Sequence, residues 1–291
     1  MAETMLDRIL QPGNLTVVFQ PIMQHRATGW HLHAFEALVR GPKGTNLESA
    51  EVLFAYGRRK RAEAQIDRMC IRQILQSALA LGGGVRLTLN VHAITLEQDE
   101  GFVRFLLDLV EASPFSASRI TLEIVEHSPS WSEQRFANVL LQLREAGFSF
   151  ALDDIGLGQS NYRMILGCRP DYFKIDRFLV AGSSRDFYRR AVLRSIGDLA
   201  GSFGAYAVAE GIDNVDDLAA VLGEGLDTVQ GFLLAKPAAA TTLGSGDFVR
   251  HAARRLPEDG AVPPWAGTLN WLALAGQQLA YAANDSLAVA S

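Results

Sequence analysis

Eight short runs rich in β-branched and aromatic residues recur along the chain, separated by stretches of helical periodicity. They are TVVFQPI (16–22), AFEALVR (34–40), VRLTLNV (85–91), RITLEIVE (119–126), FSFALDD (148–154), DYFKID (171–176), AYAVAEG (205–211) and TVQGFLLA (228–235). Strands that alternate with helices pair through crossovers, and a crossover lays its helix over a parallel sheet. Eight such units over about 230 residues suggest an α/β fold, a (β/α)8 TIM-like barrel. One spacing breaks the pattern. Runs one and two are joined by 11 residues, MQHRATGWHLH. A parallel connection needs about a dozen or more, usually with a helix, and RATGW reads as a turn. The first strand is therefore expected to run antiparallel to the second.

The segments between runs carry apolar stripes. Ile66, Cys70, Ile74 and Ala78 recur at four-residue spacing, and Phe102, Leu106, Leu109 and Val110 share one face. Ser130 and Glu133 have capping-box spacing, with Phe136, Val139, Leu140 and Leu143 behind them and Gly147 as the stop. Phe187, Ala191, Val192, Ile196 and Leu199 form another stripe. Asn214 is placed to cap VDDLAAVLG, which ends on Gly223. The segment 258–267, EDGAVPPWAG, reads as a joint. It divides a barrel at 12–250 from a C-terminal helical extension at 251–291. The run 269–291 is apolar but interrupted by Gln277, Gln278, Asn284 and Asp285, short of the roughly 20 residues needed to span a membrane. No membrane insertion is expected.

Composition excludes other classes. Net charge is −5, and the longest basic run is RRKR at 58–61, read as the solvated start of a helix; generic nucleic-acid binding is not expected. Cys70 and Cys168 lie far apart, without a CxxC pair. That fits a reducing, cytoplasmic setting rather than a disulfide or zinc framework.

The chemistry gathers at the ends of the runs. Run one carries Gln20, run two Glu36, run three Asn90, run four Glu123 and Glu126. Run five carries Asp153 and Asp154, run six Lys174, run seven Glu210 and run eight Gln230. Taken singly, a strand Glu or Lys most often faces solvent, and Asp153-Asp154 before Ile-Gly could cap a helix. Together they recur at nearly every strand end, and in a barrel these ends converge on the face where active sites are built. Charged groups in apolar runs are costly unless paired or metal-bound. Adjacent carboxylates repel, and shared cations would offset the repulsion. Carboxylate and amide oxygens are hard donors suited to Mg²⁺ or Mn²⁺. Five acids exceed the needs of one ion; two ions roughly 3.5–4 Å apart, bridged by a carboxylate, would activate water for in-line attack at phosphorus, with Lys174 positioning it. Ca²⁺, with its looser coordination, is expected to inhibit.

These blocks resemble the EAL-domain phosphodiesterases of cyclic di-GMP signalling. The triplet Glu36-Ala37-Leu38 lies within FEALVR. FQPI (19–22), LTLNVHAITL (87–96), LEIVEHS (122–128), LDDIGLG (152–158), DYFKIDRFLV (171–180), VAEGID (208–213) and QGFLLAKP (230–237) follow in order. The resemblance implies hydrolysis of cyclic di-GMP to linear pGpG, and an antiparallel first strand, which the spacing also indicates. By position it implies that Glu36, Asn90, Glu123 and Asp153 hold one Mg²⁺ or Mn²⁺. Asp153 would bridge to a second ion supported by Asp154 and Glu210. Lys174 would assist the water. Gln230 would orient water or ligand, and Gln20, Leu38 and Arg40 would touch substrate. Glu126 would steady the loop after strand five, and Asp213 stands where the family has a second acid. It also implies a homodimer. The chain departs from the family at Ile155, Leu157 and Gln159 of that loop, at Gly41, where a Trp is common, and at Asp213, one methylene short. The alternative class is a cyclic di-GMP receptor that signals through protein partners without turnover; such members generally lose catalytic carboxylates, and here the mapped set is complete. A protein scaffold using the barrel for shape alone would have lost that set.

Overall fold

The computed structural model describes residues 4–125, 133–156 and 162–243. Eight strands close into a barrel in chain order: β1 (Thr16–Arg26), β2 (Gly29–Arg40), β3 (Leu87–His92), β4 (Ile120–Val125), β5 (Ser149–Ile155), β6 (Tyr172–Ile175), β7 (Tyr206–Ala209) and β8 (Thr228–Val229). The helices are α1 (Met5–Leu10), α2 (Ala50–Lys60), α3 (Glu63–Ala78), α4 (Ala93–Gln98), α5 (Phe102–Glu111), α6 (Glu133–Glu145), α7 (Tyr162–Cys168), α8 (Arg177–Val180), α9 (Phe187–Ser202), α10 (Val215–Gly223) and α11 (Ala240–Leu243).

β1 is antiparallel to both of its neighbours, and the pairs from β2–β3 to β7–β8 are parallel. The 11-residue connection is mostly strand. Pairing continues through Gln24↔His31 to Arg26↔Gly29, leaving Ala27 and Thr28 as a two-residue turn. Gly29 takes φ +102°, open to a residue without a Cβ. At the other end of the barrel, the chain after β8 returns to β1, where Phe19 and Ala238 exchange backbone hydrogen bonds of 2.8 and 3.0 Å.

The stripes on α3, α5 and α6 face the core as expected. Ile66, Cys70, Ile74 and Ala78 are buried, as are Phe102, Leu106 and Val110, and Phe136, Leu140 and Leu143. α10 begins at Asn214, whose side chain accepts from the Asp217 amide, and ends on Gly223. Both cysteines are buried and free.

Two expectations need correction. On α9 Ile196 and Leu199 pack against the core as expected, joined by Leu193 and Ala200, whereas Phe187 and Val192 are more than 40% exposed. Gly197 decides the rotation: a Cβ there would come within 2.9 Å of Leu226, so the helix lies close along its small residues rather than its largest. RRKR ends a helix instead of starting one. Arg58, Arg59 and Lys60 form the last turn of α2, where cations suit the helix dipole, and Arg61 closes it in the left-handed region at φ 53°. The Ser130 cap, Glu126, the joint at 258–267 and the extension 251–291 lie outside the described residues, as do Leu157 and Gln159.

The lower end of the barrel is filled by rings. His33 Nε2 lies 3.1 Å from the Tyr172 hydroxyl, and Tyr172 stacks on Tyr206 at 5.5 Å. Burial, with Arg86 and Arg26 nearby, pushes the His33 pKa down to about 4. Toward the upper end, Asp67 of α3 is fully buried. It accepts from the His92 amide (3.0 Å), His92 Nδ1 (2.8 Å) and Thr95 Oγ1 (2.6 Å), pinning the end of β3 and the start of α4 to α3.

Two outcomes follow. Asp67→Ala strands three buried donors and should lower unfolding free energy in urea by about 2–4 kcal/mol; a change below about 0.5 kcal/mol would mean that water replaces the carboxylate. His33 binds its proton near pH 6.5 when unfolded and only near pH 4 when folded. Its contribution is complete above pH 6.5 and is lost as pH falls toward 4, up to about 3 kcal/mol. The stability difference between wild type and His33→Phe should shift in that direction across this window; a pH-independent difference would show that His33 is not held neutral.

Candidate active site

The upper ends of the strands bring the acids together around one ammonium. Lys174, on β6, is 2% exposed. Its Nζ lies 2.6 Å from Glu123 Oε1, 2.6 Å from Glu210 Oε1 and 3.2 Å from Glu36 Oε2. These partners come from β4, from the residue after β7 and from β2, so the lysine ties together opposite sides of the barrel. Burial would drive the Lys174 proton off, but Glu123, Glu210, Glu36 and Asp153 together outweigh it and hold the pKa well above the ordinary lysine value.

The acids are under-compensated. Burial, then the neighbouring carboxylates, raise Glu123 well above the carboxylate range and Glu210 to about 8, against the opposing pull of Lys174. Glu123 Oε2 is buried with no hydrogen-bond partner, and Glu210 Oε1, though close to Nζ, is outside hydrogen-bonding geometry. Asp154 rises to about 6 through burial and through Asp153 and Asp176.

Register explains the placement. Asn90 pairs across from Glu123, and Gln20 from Glu36, so the members of each pair share one level. The adjacent aspartates sit in a bulge. β5 advances from Leu152 to Ile155 while β6 advances only from Phe173 to Ile175. Asp154 absorbs the extra residue at φ 55°. Bulges beside active sites re-aim side chains, and Asp tolerates this region better than most residues. The pair therefore need not follow simple strand alternation.

Around this centre lie two cavities that share Glu36. One, of about 320 Å³, is lined by Gln20, Leu38, Glu210, Gln230, Arg177 and Phe232, among others. Gln230 Nε2 donates to Glu36 Oε2 (2.6 Å) and to Gln20 Oε1 (3.1 Å). Asp213 pairs with Arg177 at 2.6 Å on its rim. The other, of about 250 Å³, is bounded by Glu36, Asn90, Asp153 and residues of α2 and α3. Arg40 lines neither; its Nη1 donates to the Val39 carbonyl at 3.0 Å.

Among the described residues no three His, Cys, Asp or Glu side chains are arranged as a ready metal cluster; the glutamates instead close on Lys174. The donor chemistry still fits a hard divalent cation. The oxygens are carboxylate and amide, one fully buried carboxylate oxygen of Glu123 has no partner, and burial with mutual repulsion raises the acids. Arg177 and Phe232 escaped the sequence reading. Gly211 was a usable signal for the first: it takes φ +71°, and a Cβ there would meet the Arg177 stem at 2.4 Å.

Comparison with known proteins agrees. The model of the EAL domain matches residues 3–237. The cyclic di-GMP phosphodiesterase PdeB of Shewanella oneidensis is 27% identical over 239 residues, 80% of this chain and 27% of that protein. The blue light- and temperature-regulated antirepressor BluF of Escherichia coli is 27% identical over 206 residues, 70% of this chain and 50% of that protein. The chain thus spans about a quarter to a half of these curated relatives. Among solved structures, the Klebsiella pneumoniae BlrP1 manganese/cy-diGMP complex superposes with a TM-score of 0.69 at 25% identity, covering 79% of this chain and 57% of that one. With the barrel, its reversed first strand and the match over most of its length taken together, the chain belongs to the EAL domain family.

Proposed function

We propose that this protein hydrolyses one phosphodiester bond of cyclic di-GMP, giving linear pGpG, in a reaction that requires Mg²⁺ or Mn²⁺. The observation that carries the reading is the convergence of Glu36, Glu123 and Glu210 on buried Lys174, with a carboxylate oxygen of Glu123 left without a partner. Glu36, Asn90, Glu123 and Asp153 would hold one ion; Asp153, Asp154 and Glu210 would hold a second. When bound, such a pair supplies Lewis acidity at the scissile phosphate and makes water acidic near neutral pH.

The chain's own groups do the rest. Lys174 stays charged, so its ammonium can donate to the attacking water and fix its direction. Once cations have displaced their protons, Glu210 and Asp154 would be carboxylates able to take up that water's proton. Gln230 holds Glu36 Oε2 through one amide hydrogen and Gln20 through its interaction with Gln20 Oε1, which keeps Glu36 in place without adding charge. Leu38 gives the larger cavity an apolar wall. Arg40 suits a phosphate, with the donors that its bond to Val39 leaves over. In this reading the active form is a cytoplasmic homodimer. A second reading, a cyclic di-GMP receptor without turnover, draws on one observation: a relative carries the name of an antirepressor.

Purified protein incubated with cyclic di-GMP and Mn²⁺ or Mg²⁺ should yield pGpG on chromatography. Glu36→Ala and Asp153→Asn should each slow it by at least about 100-fold, and Ca²⁺ should inhibit. Binding without product would move the protein to the receptor reading. The raised acids make a further prediction. Glu210, with a pKa of about 8, holds a proton near pH 7, and burial raises Glu123 in the same direction; a cation bound there must displace the Glu210 proton. Titrating Mn²⁺ calorimetrically in buffers of different ionisation enthalpy should show release of about one proton or more, and affinity that rises with pH up to about 8. Binding without proton release would mean that the ion sits elsewhere.

A further inference from the structure

The cavity of about 250 Å³ on the α2 side of Glu36 has a chemistry of its own. Three successive turns of α2 present Glu51, Phe54 and Arg58 to it, at the spacing that puts residues on one helical face. Phe54 packs edge-on against His92, ring centres 5.2 Å apart, so its ring is held as a wall. Arg58 is partly buried, and among the described residues its guanidinium makes no hydrogen bond or ion pair. Its neighbours in the basic run are otherwise engaged. Arg59 and Lys60 lie over the Tyr56 ring, and Arg61 forms the helix cap. A partly buried guanidinium without a protein partner keeps its donors available to a ligand that brings acceptors. Glu36, Asn90 and Asp153 line the same cavity.

We propose that Arg58 determines base specificity: this cavity receives one base of the dinucleotide, and Arg58 reads it as guanine. The inference rests on the phosphodiesterase or receptor reading above. With the phosphate at the acidic centre, what extends into the side cavity is the nucleoside. The walls there are Phe54, Val91 and Val125, suited to a flat ring. Guanine offers two acceptors, O6 and N7, on one edge, the pattern an arginine fork meets with two parallel hydrogen bonds. Its N1–H and N2–H₂ donors match the Glu51 carboxylate at the cavity mouth. Adenine places a donor where O6 would be, so it opposes Arg58 and leaves the fork half used. A phosphate would satisfy Arg58 equally whatever the base, and the two cases differ in their response to base identity.

The test measures dissociation constants for cyclic di-GMP and cyclic di-AMP in Ca²⁺, and KM and kcat in Mn²⁺, for the full chain and for Arg58→Ala and Arg58→Lys. A lost bidentate contact is worth roughly 1–3 kcal/mol. Arg58→Ala should therefore weaken cyclic di-GMP binding about 5- to 150-fold, raise KM in step, change kcat little and narrow the preference over cyclic di-AMP. Arg58→Lys should recover only part of the loss, since a lysine cannot make the fork. Equal weakening for both dinucleotides would make Arg58 a phosphate contact and overturn the proposal. Unchanged binding in Arg58→Ala, with wild type binding normally, would overturn it alone. A wild type that neither binds nor cuts cyclic di-GMP overturns the underlying reading as well.

Discussion

A lysine ammonium buried among glutamates is the constraint on which the upper half of this barrel depends. At 4 Å and an effective dielectric near 20, two unit charges interact by about 4 kcal/mol. One ammonium at 2.6–3.2 Å from three carboxylates can compensate one or two of them, not all. The remainder shows in the raised acids and in the unpartnered oxygen of Glu123. Such a centre is tolerated because several strands hold it from different sides. Protons or added cations would relieve its excess of negative charge. The same imbalance links structure to activity: the positive charge that would complete the electrostatics is the charge that phosphodiester hydrolysis needs.

The antiparallel hairpin serves this centre. It brings Gln20 of β1 level with Glu36 of β2, and Gln230, just beyond β8, reaches both. Gln230 is followed by Gly231, where a Cβ would fall 2.0 Å from the Ile212 carbonyl oxygen. The seam where the barrel closes is therefore also where the glutamate is fixed. On the far side, Asp67 pins the end of β3 beyond Asn90. The acids are thus set in register by backbone pairing and kept there by neutral or already compensated partners.

Much of this was legible in the sequence. Short connections decide strand direction, so eleven residues around RATGW were enough to reverse β1, and the Asn214 cap and Gly223 stop fixed α10 to the residue. What escaped depends on distances between segments remote in sequence. On α9 Phe187 and Val192 look like core and are exposed, while Ile196 and Leu199 of the same stripe pack inward; the close approach of Gly197 to Leu226 is invisible in periodicity. The strand-end acids stood out as costly charges, but nothing in their order shows that Lys174 is their meeting point. Arg58 was passed over as one of four solvated cations. Its helix face turns it toward the acids while Arg59 and Lys60 turn to Tyr56. The bulge at Asp153-Asp154 answers why two like charges stand side by side: one residue too many on β5 lets both approach the same centre.

The measurement that bears most directly on this account is anomalous diffraction from crystals grown with Mn²⁺ and cyclic di-GMP. The account predicts two manganese peaks roughly 3.5–4 Å apart, one among Glu36, Asn90, Glu123 and Asp153 and one toward Asp154 and Glu210, with Lys174 displaced from at least one glutamate. A dinucleotide bound over Lys174 with the three glutamates still closed on the ammonium and no manganese among them would contradict it.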